Sequence, residues 1–304
     1  MAKHIKTVEK EITTKIVDSL EQAIQSGREA QWQMPWVSKG SGMPVSFSSG
    51  KPYRGGNLLI LLMAQVENGF ASNRWITKKQ MLQAGGRIPK EDFPNSQTCY
   101  FFKEMEVTDE KTGDIKKRWF AKTYQVWNLA QTNISIENPE KEQKTDEAEF
   151  GELDQFLNDN TADVRFGQSK AYYHPRQDFI GLPNPEDFQS EGDYLATKSH
   201  ELVHWTGHDS RQKRDLQAKG TEAYAFEELI AELGSSFISA EYDLPHKVQD
   251  GHEEYLLHWV KALSSDTSLV FKAAKKASEA VAYLKKDAGL VQQPQGFEPK
   301  AIAA

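Results

Sequence analysis

Two histidines, His200 and His204, stand four residues apart in His200-Glu-Leu-Val-His204, and a helix is the conformation that makes them neighbours. On an α-helix residues i and i+4 lie one above the other on the same face. Both imidazoles can then close on one ion at about 2.0–2.1 Å. Glu201 follows the first histidine by one position, beside the metal, where it can take a proton from water instead of ligating. The pattern is that of a metallohydrolase helix. Its flanks agree: Ser190 predicts an N-cap, and Glu191 and Asp193 suit the positive end of the helix dipole. Tyr194, Leu195, Leu202 and Val203 supply apolar surface, and Gly207 predicts a left-handed residue that ends the helix.

A catalytic zinc takes three protein ligands and keeps one position open, and two candidates compete for the third. Glu228 lies in a segment of strong helical character, where Phe226, Leu229, Ile230, Leu233 and Phe237 share one face. Tyr224, Glu228, Ala231, Glu232 and Ser235 share the other, and the small residues there let a second helix come close. Glu232, one turn beyond Glu228, is placed to accept the second N–H of a ligating histidine and so fix its tautomer. Glu227 points toward the margin of the apolar face and ranks below Glu228. The rival is His208, but the longer pattern HExxHxxGxxH requires histidine at position 210, which is Ser210. His208 is therefore read as an auxiliary residue, and it and Tyr224 are candidates to steady an oxyanion. Upstream, Ala171 to Pro183 reads as two short extended pieces around a proline turn. A strand beside the metal would hold an extended peptide by main-chain pairing.

The formal charge of −7 over 304 residues is unevenly divided. Residues 1–130 carry 19 Lys+Arg and 13 Asp+Glu (+6), and the remainder carry 18 and 31 (−13). The acids of the second half are scattered along helices, which argues for solvated faces over DNA mimicry. Glu137–Glu149 is charged and almost free of apolar residues, as an exposed linker would be. Ile5, Val8, Ile12, Ile16, Leu20 and Ile24 recur at helical spacing, which predicts an amphipathic docking helix and not a secretion signal. The longest apolar run, Leu58–Ala64, is too short for a bilayer. A single cysteine, Cys99, excludes a disulfide framework within the chain and fits a cytoplasmic protein.

The basic half holds five of the seven tryptophans. Rings interleaved with cations suit single-stranded nucleic acid, whose bases stack while its phosphates follow the charges. The candidates for contact are Trp36, Lys51, Tyr53, Arg54, Asn57, Trp75, Lys78 and Lys79. In Lys51-Pro-Tyr-Arg-Gly-Gly-Asn57 the paired glycines permit unusual dihedrals just before a helix whose N-terminus favours an anion. Phe101-Phe102 and Tyr124–Val126 alternate like paired strands, so some of those rings are expected to face inward.

Together these elements resemble the ArdC family of antirestriction proteins, carried by conjugative plasmids and related mobile elements. The matching pieces include Trp32-Gln-Met-Pro-Trp36, Pro52–Asn57, Trp75-Ile-Thr77, Val126–Gln131, Tyr173, Asp178-Phe-Ile180, His200–His208, Arg211 and Tyr224–Gly234. The resemblance implies an α+β protein of two domains. Residues 1–131 would bind single-stranded DNA, 132–149 would form the charged linker, 150–291 would form a zincin-like metallopeptidase domain, and 292–304 a flexible tail. It also implies His200, His204 and Glu228 as metal ligands, Glu201 as general base, and zinc as the ion, with Mn2+ as an alternative. The expected role is protection of incoming DNA, with single-stranded DNA as partner, a protein of the host restriction system as candidate substrate, and no membrane. The rival expectation is a DNA-coating protein whose metal site performs no turnover.

Overall fold

The computed structural model describes residues 4–26, 42–108, 115–134, 146–217, 221–242 and 253–290. Trp36, residues 135–145 of the charged segment and the tail from 292 onward lie outside the described residues.

Helix α1 (Ile5–Gln25) buries Val8, Ile12, Ile16 and Leu20, the stripe its sequence predicts. It docks on α7 (Glu253–Ser265), and its Thr13 hydroxyl donates to Thr267 O at 2.8 Å. A four-stranded sheet follows, in the order β1 (Val45–Ser46), β2 (Arg74–Thr77), β4 (Ile115–Asn128), β3 (Gln97–Thr108). The first pair is parallel and the rest are antiparallel. Helix α2 (Gly55–Asn68) is buried along its whole Leu58–Gln65 stretch, as its unbroken apolar run requires. On the other face of the sheet Phe47, Ile76, Met81 and Leu129 form a small separate core beside the short helix α3 (Lys78–Gln83).

The second region begins with α4 (Asp146–Asn158), which starts inside the charged stretch. A small sheet follows, in the order β5 (Asp163–Arg165), β7 (Phe179–Gly181), β6 (Tyr172–His174). β6 and β7 are the expected pair of extended pieces, and β6 is one of the two edge strands. Helices α5 (Glu191–Thr206), α6 (Glu222–Glu241), α7 and α8 (Leu269–Asp287) complete the chain. Ser190 caps α5 by accepting from the Asp193 N–H, as expected. Gly207 is not left-handed: its φ is −75°. A Cβ there would meet Arg214 Nη2 at 2.9 Å and His204 O at 3.0 Å, so close approach explains the glycine. Among the described residues, no helix is long and apolar enough to cross a membrane.

The buried apolar residues of both regions form one contiguous cluster, from Val8 through Leu59 and Trp75 to Leu233 and Leu284. The glycine pair expected to admit an anion serves this junction. Gly55 has φ +57°, and its N–H donates to Ser278 Oγ of α8 at 2.8 Å. A Cβ on Gly56 would fall 2.2 Å from both Phe271 Cδ1 of α8 and the Tyr100 hydroxyl.

Candidate metal centre

Helices α5 and α6 touch where their side chains are smallest. Gly234 lies under Val203, where a Cβ would come within 2.7 Å of Cγ2, and Ser235 donates to Ala196 O at 3.1 Å. This contact brings the buried Glu228 opposite the buried His200 and His204. The two Nε2 atoms lie 3.0 Å apart, and Glu228 lies 3.5 Å from each, through Oε2 to His200 and Oε1 to His204. Two ligands held at about 2.0–2.1 Å on a tetrahedral ion stand ~3.3 Å apart. These spacings are of the size that one small divalent cation requires, and one ligand atom from each of the three residues lies within 4.8 Å of the others. Of the two candidates for the third position, Glu228 is the one within reach of both imidazoles. His208 is not: its Nδ1 binds Ser210 Oγ at 2.8 Å and faces Asp178 at 3.9 Å.

Each imidazole has a carboxylate behind it. Nδ1 of His200 lies 3.0 Å from Glu232 Oε1, the contact foreseen from helical spacing. Nδ1 of His204 lies 3.1 Å from Glu227 Oε1. Glu227 was expected at the margin of the apolar face, yet it is buried, and Arg214 grips it with Nε at 2.9 Å and Nη2 at 2.8 Å. Arg214 itself is buried and donates further to Val203 O, Thr206 Oγ1 and Gln212 Oε1. Sequence gave no signal for Arg214, because nothing local places residue 214 beside residue 227. Burial alone would raise the Glu227 carboxyl, but His204 and Arg214 outweigh it and hold the group below its usual range. An ionised carboxylate can only accept, so Nδ1 of His204 carries a hydrogen, and Nε2 is the ring atom that faces Glu228. Burial would lower His204, but Glu228 and Glu227 overcome this and raise it to about 9. For Glu228 the balance also runs against burial: the two imidazoles hold it well below the usual carboxylate range.

Glu201 is buried beside the cluster, and burial pushes its carboxyl up against the pull of His200 and His204. The main-chain N–H of Tyr173, on the edge strand β6, lowers it slightly in turn. The turn leading from β6 to β7 is clamped to the end of α5. Asp178, at φ +55°, accepts from the Tyr173 hydroxyl at 2.8 Å and from Arg211 Nη1 at 2.9 Å. Arg211 Nε donates to Trp205 O at 2.6 Å, with its guanidinium 3.9 Å over the Trp205 ring. Tyr224 is half-buried at the first turn of α6, with its N–H on the Thr221 cap.

The nucleic-acid candidates divide. Lys51, Arg54, Lys78 and Lys79 are exposed, and Lys78 Nζ stands 5.0 Å from the exposed Phe93 ring. Trp75 is not a stacking platform: it is fully buried, and its indole donates to Gln65 Oε1 at 3.1 Å. Tyr53 packs on the core with its hydroxyl toward Tyr124 and Cys99, and burial pushes it up. Asn57 is a structural amide, bonded to Tyr100 O at 2.7 Å and Tyr100 N at 2.9 Å along the β3 edge. Of the paired segments whose rings were expected to face inward in part, Tyr124 packs on the core, whereas Phe101 and Phe102 are exposed.

Comparison with known proteins agrees with this division. Residues 6–150 match the N-terminal domain of the anti-restriction factor ArdC, and residues 151–276 match a zincin-like metallopeptidase. The chain is 31% identical to protein y4eC of Sinorhizobium fredii over 277 residues, covering 88% of this chain and 90% of that one. It is 35% identical to the DNA primase TraC of Escherichia coli over 293 residues, 90% of this chain but only 27% of TraC. The crystal structure of metal-free antirestriction protein ArdC from plasmid R388 superposes with a TM-score of 0.76 at 34% identity, covering 94% of this chain and 99% of that one. Its Mn(II)-bound form superposes with a TM-score of 0.72 at 33% identity, covering 93% and 99%. The chain thus belongs to the ArdC antirestriction family, with a zincin-like second domain.

Proposed function

We propose that the chain binds single-stranded DNA without sequence preference through its first region, residues 1–131, and hydrolyses peptide bonds at a zinc site in its second, residues 150–291, and that it protects incoming DNA from restriction. The observation that carries the enzymatic half is the juxtaposition of His200, His204 and Glu228 with a carboxylate, Glu201, that no ligand role occupies. A bound divalent cation supplies positive charge that makes water a nucleophile near neutral pH and polarises a carbonyl. His200, His204 and Glu228 would hold it, with Glu232 and Glu227 fixing the ring orientations. Glu201, pushed up by burial, takes the proton from the attacking water and returns it to the departing amine nitrogen. β6, one edge of its sheet, offers main-chain pairing to an extended peptide beside Glu201.

Glu201→Gln keeps the shape and removes the base. The variant is expected to retain stoichiometric zinc or Mn(II) in metal analysis and to lose all peptide cleavage. Unchanged cleavage eliminates this role for Glu201. In a restriction-challenged conjugation, full protection by the same variant assigns antirestriction to strand coating and leaves hydrolysis a separate duty.

A further inference from the structure

We infer that the exposed side of α3, with the Phe93 ring beside it, seats a stretch of single-stranded nucleic acid; this rests on the DNA-binding half of the reading above. Helix α3 meets the sheet on one side only. Met81 is buried with Ile76, Leu129 and Phe47, while Lys78, Lys79, Leu82 and Gln83 stand exposed. Those four residues line an open hollow of about 580 Å³. Leu82, 60% exposed, gives the hollow apolar surface, and the two lysines give it charge. The chain that leaves α3 returns to its first residue, where Lys78 Nζ stands 5.0 Å from the centre of the Phe93 ring. That ring rests near Trp127, with 5.4 Å between centroids, and the Trp127 indole N–H donates to Phe93 O at 3.3 Å. The N–H groups of Asp92 and Phe93 both donate to Pro89 O, at 3.2 and 3.1 Å. Phe93 is therefore ordered before any partner arrives, and yet it stays 44% exposed. A ring already held in place costs little further entropy to bind against.

Charge selects a polyanion, and the ring selects its kind. From residue 78 to residue 95 the exposed ionisable side chains are Lys78, Lys79, Arg87 and Lys90 against Glu91, with Asp92 half-buried. None of the four cations enters an ion pair among the described residues. A single strand uses both features, with phosphates on the cations and an unpaired base on the ring. Lys78 has a flexible stem, so it can yield the ring to a base and keep a phosphate. A duplex holds its bases inside the stack. An acidic peptide needs only the charges. An anionic bilayer needs charge and a broad apolar face, and the exposed large hydrophobics of this patch are Leu82 and Phe93 alone among the described residues.

The test is fluorescence anisotropy of the full chain with a fluorescein-labelled oligo-dT of about twenty nucleotides, with a duplex of equal length, across a salt series. Wild type is expected to prefer the single strand. Lys78→Gln combined with Lys79→Gln should lower the slope of log affinity against log salt by about 1.4, at ~0.7 per lost phosphate contact, with roughly twentyfold weaker binding near 0.1 M salt. Phe93→Ala should weaken binding roughly five- to hundredfold and leave the slope unchanged. Leu82→Glu puts a like charge where the strand lies and should weaken binding roughly tenfold or more. Lys261→Gln, exposed on α7, should stay within about twofold of wild type. If Phe93→Ala fails to fold, Leu82→Glu and the lysine pair carry the test at exposed positions. Wild-type affinity kept by all the α3 and Phe93 variants overturns this seat while leaving DNA binding in place. Equal duplex affinity, or a folded and inert Phe93→Ala, overturns the single-strand assignment. Variants that lose binding to phosphatidylserine vesicles but not to oligo-dT assign the patch to a membrane and overturn the inference. Absence of any salt-dependent oligonucleotide binding by wild type overturns the DNA reading itself.

Discussion

Glu227→Leu leaves a buried guanidinium without its counter-charge and a buried imidazole without its acceptor, and the two losses can be measured apart. Arg214 meets Glu227 through two hydrogen bonds, at 2.8 and 2.9 Å, with its side chain 2% exposed and that of Glu227 5% exposed. Removing one partner of a buried pair costs about 3–5 kcal/mol, because the remaining charge stays desolvated. Replacing both by apolar groups of similar volume removes that penalty, so Glu227→Leu combined with Arg214→Met should recover most of the lost stability. Metal affinity follows a different rule. His204 Nδ1 lacks its carboxylate in the single and the double variant alike, and loss of such a partner weakens binding about 10–100-fold. Urea unfolding of the metal-free proteins, read as midpoint shifts at constant slope, gives the first quantity. Calorimetric titration with zinc or Mn(II) gives the second. The expected pattern is stability lost and then regained, with affinity lost in both. A double variant that binds metal like wild type refutes Glu227 as the group that positions His204. A single variant that costs under about 1 kcal/mol refutes the buried pair.

Three further outcomes follow from the packing. Gly56→Ala puts a methyl 2.2 Å from Phe271 Cδ1 and the Tyr100 hydroxyl, so thermal unfolding should show a loss of about 1–3 kcal/mol; an unshifted midpoint would mean that α2 and α8 separate freely. Trp75→Ala should cost about 3–5 kcal/mol while the folded fraction binds oligonucleotide as before, since the ring is core; binding lost without stability would reinstate it as a contact. Asp266 is held down to about 2 by hydrogen bonds from Lys272 and Ser268, so its contribution is present above pH 3.8 and disappears as pH falls through about 2; Asp266→Asn should flatten the acid limb of stability in that window, and an identical acid profile would exclude the group.

The metal centre was legible in the sequence because helical spacing is a local rule. His200 to His204, and Glu228 to Glu232, are each one turn apart, so sequence alone sets which of them stack. Ser190 and the stripe on α1 were legible for the same reason. Glu227 was misplaced because the rule speaks of faces, and α6 is buried nearly all round, so a margin position is also an interior one. What makes Glu227 tolerable there is Arg214, which reaches it from the loop after α5. Trp75 and Tyr53 were misread as contacts for a complementary reason. A tryptophan near cations reads alike whether it stacks on a base or fills a core, and only the hydrogen bond from Trp75 to Gln65 decides it.

The glycine pair carries the larger lesson about how the two halves are joined. Gly55-Gly56 was read as an approach for a phosphate, since a left-handed φ before a helix N-terminus suits one. The φ is as required, but the close neighbour is α8 of the same chain, through Ser278 and Phe271. α8 packs in turn on α6, which supplies Glu228, and α1 packs on α7. The division between the two matched families falls at residues 150 and 151, whereas the apolar cluster runs continuously across it. A fragment beginning at residue 151 would strip α2 from α8 and expose Phe271, which is 5% exposed in the whole chain. Helix α6 is thus joined to the first half through α7 and α8, and the expected outcome is that loss of the first region loosens the seat of Glu228 while leaving its partners His200 and His204 in place on α5.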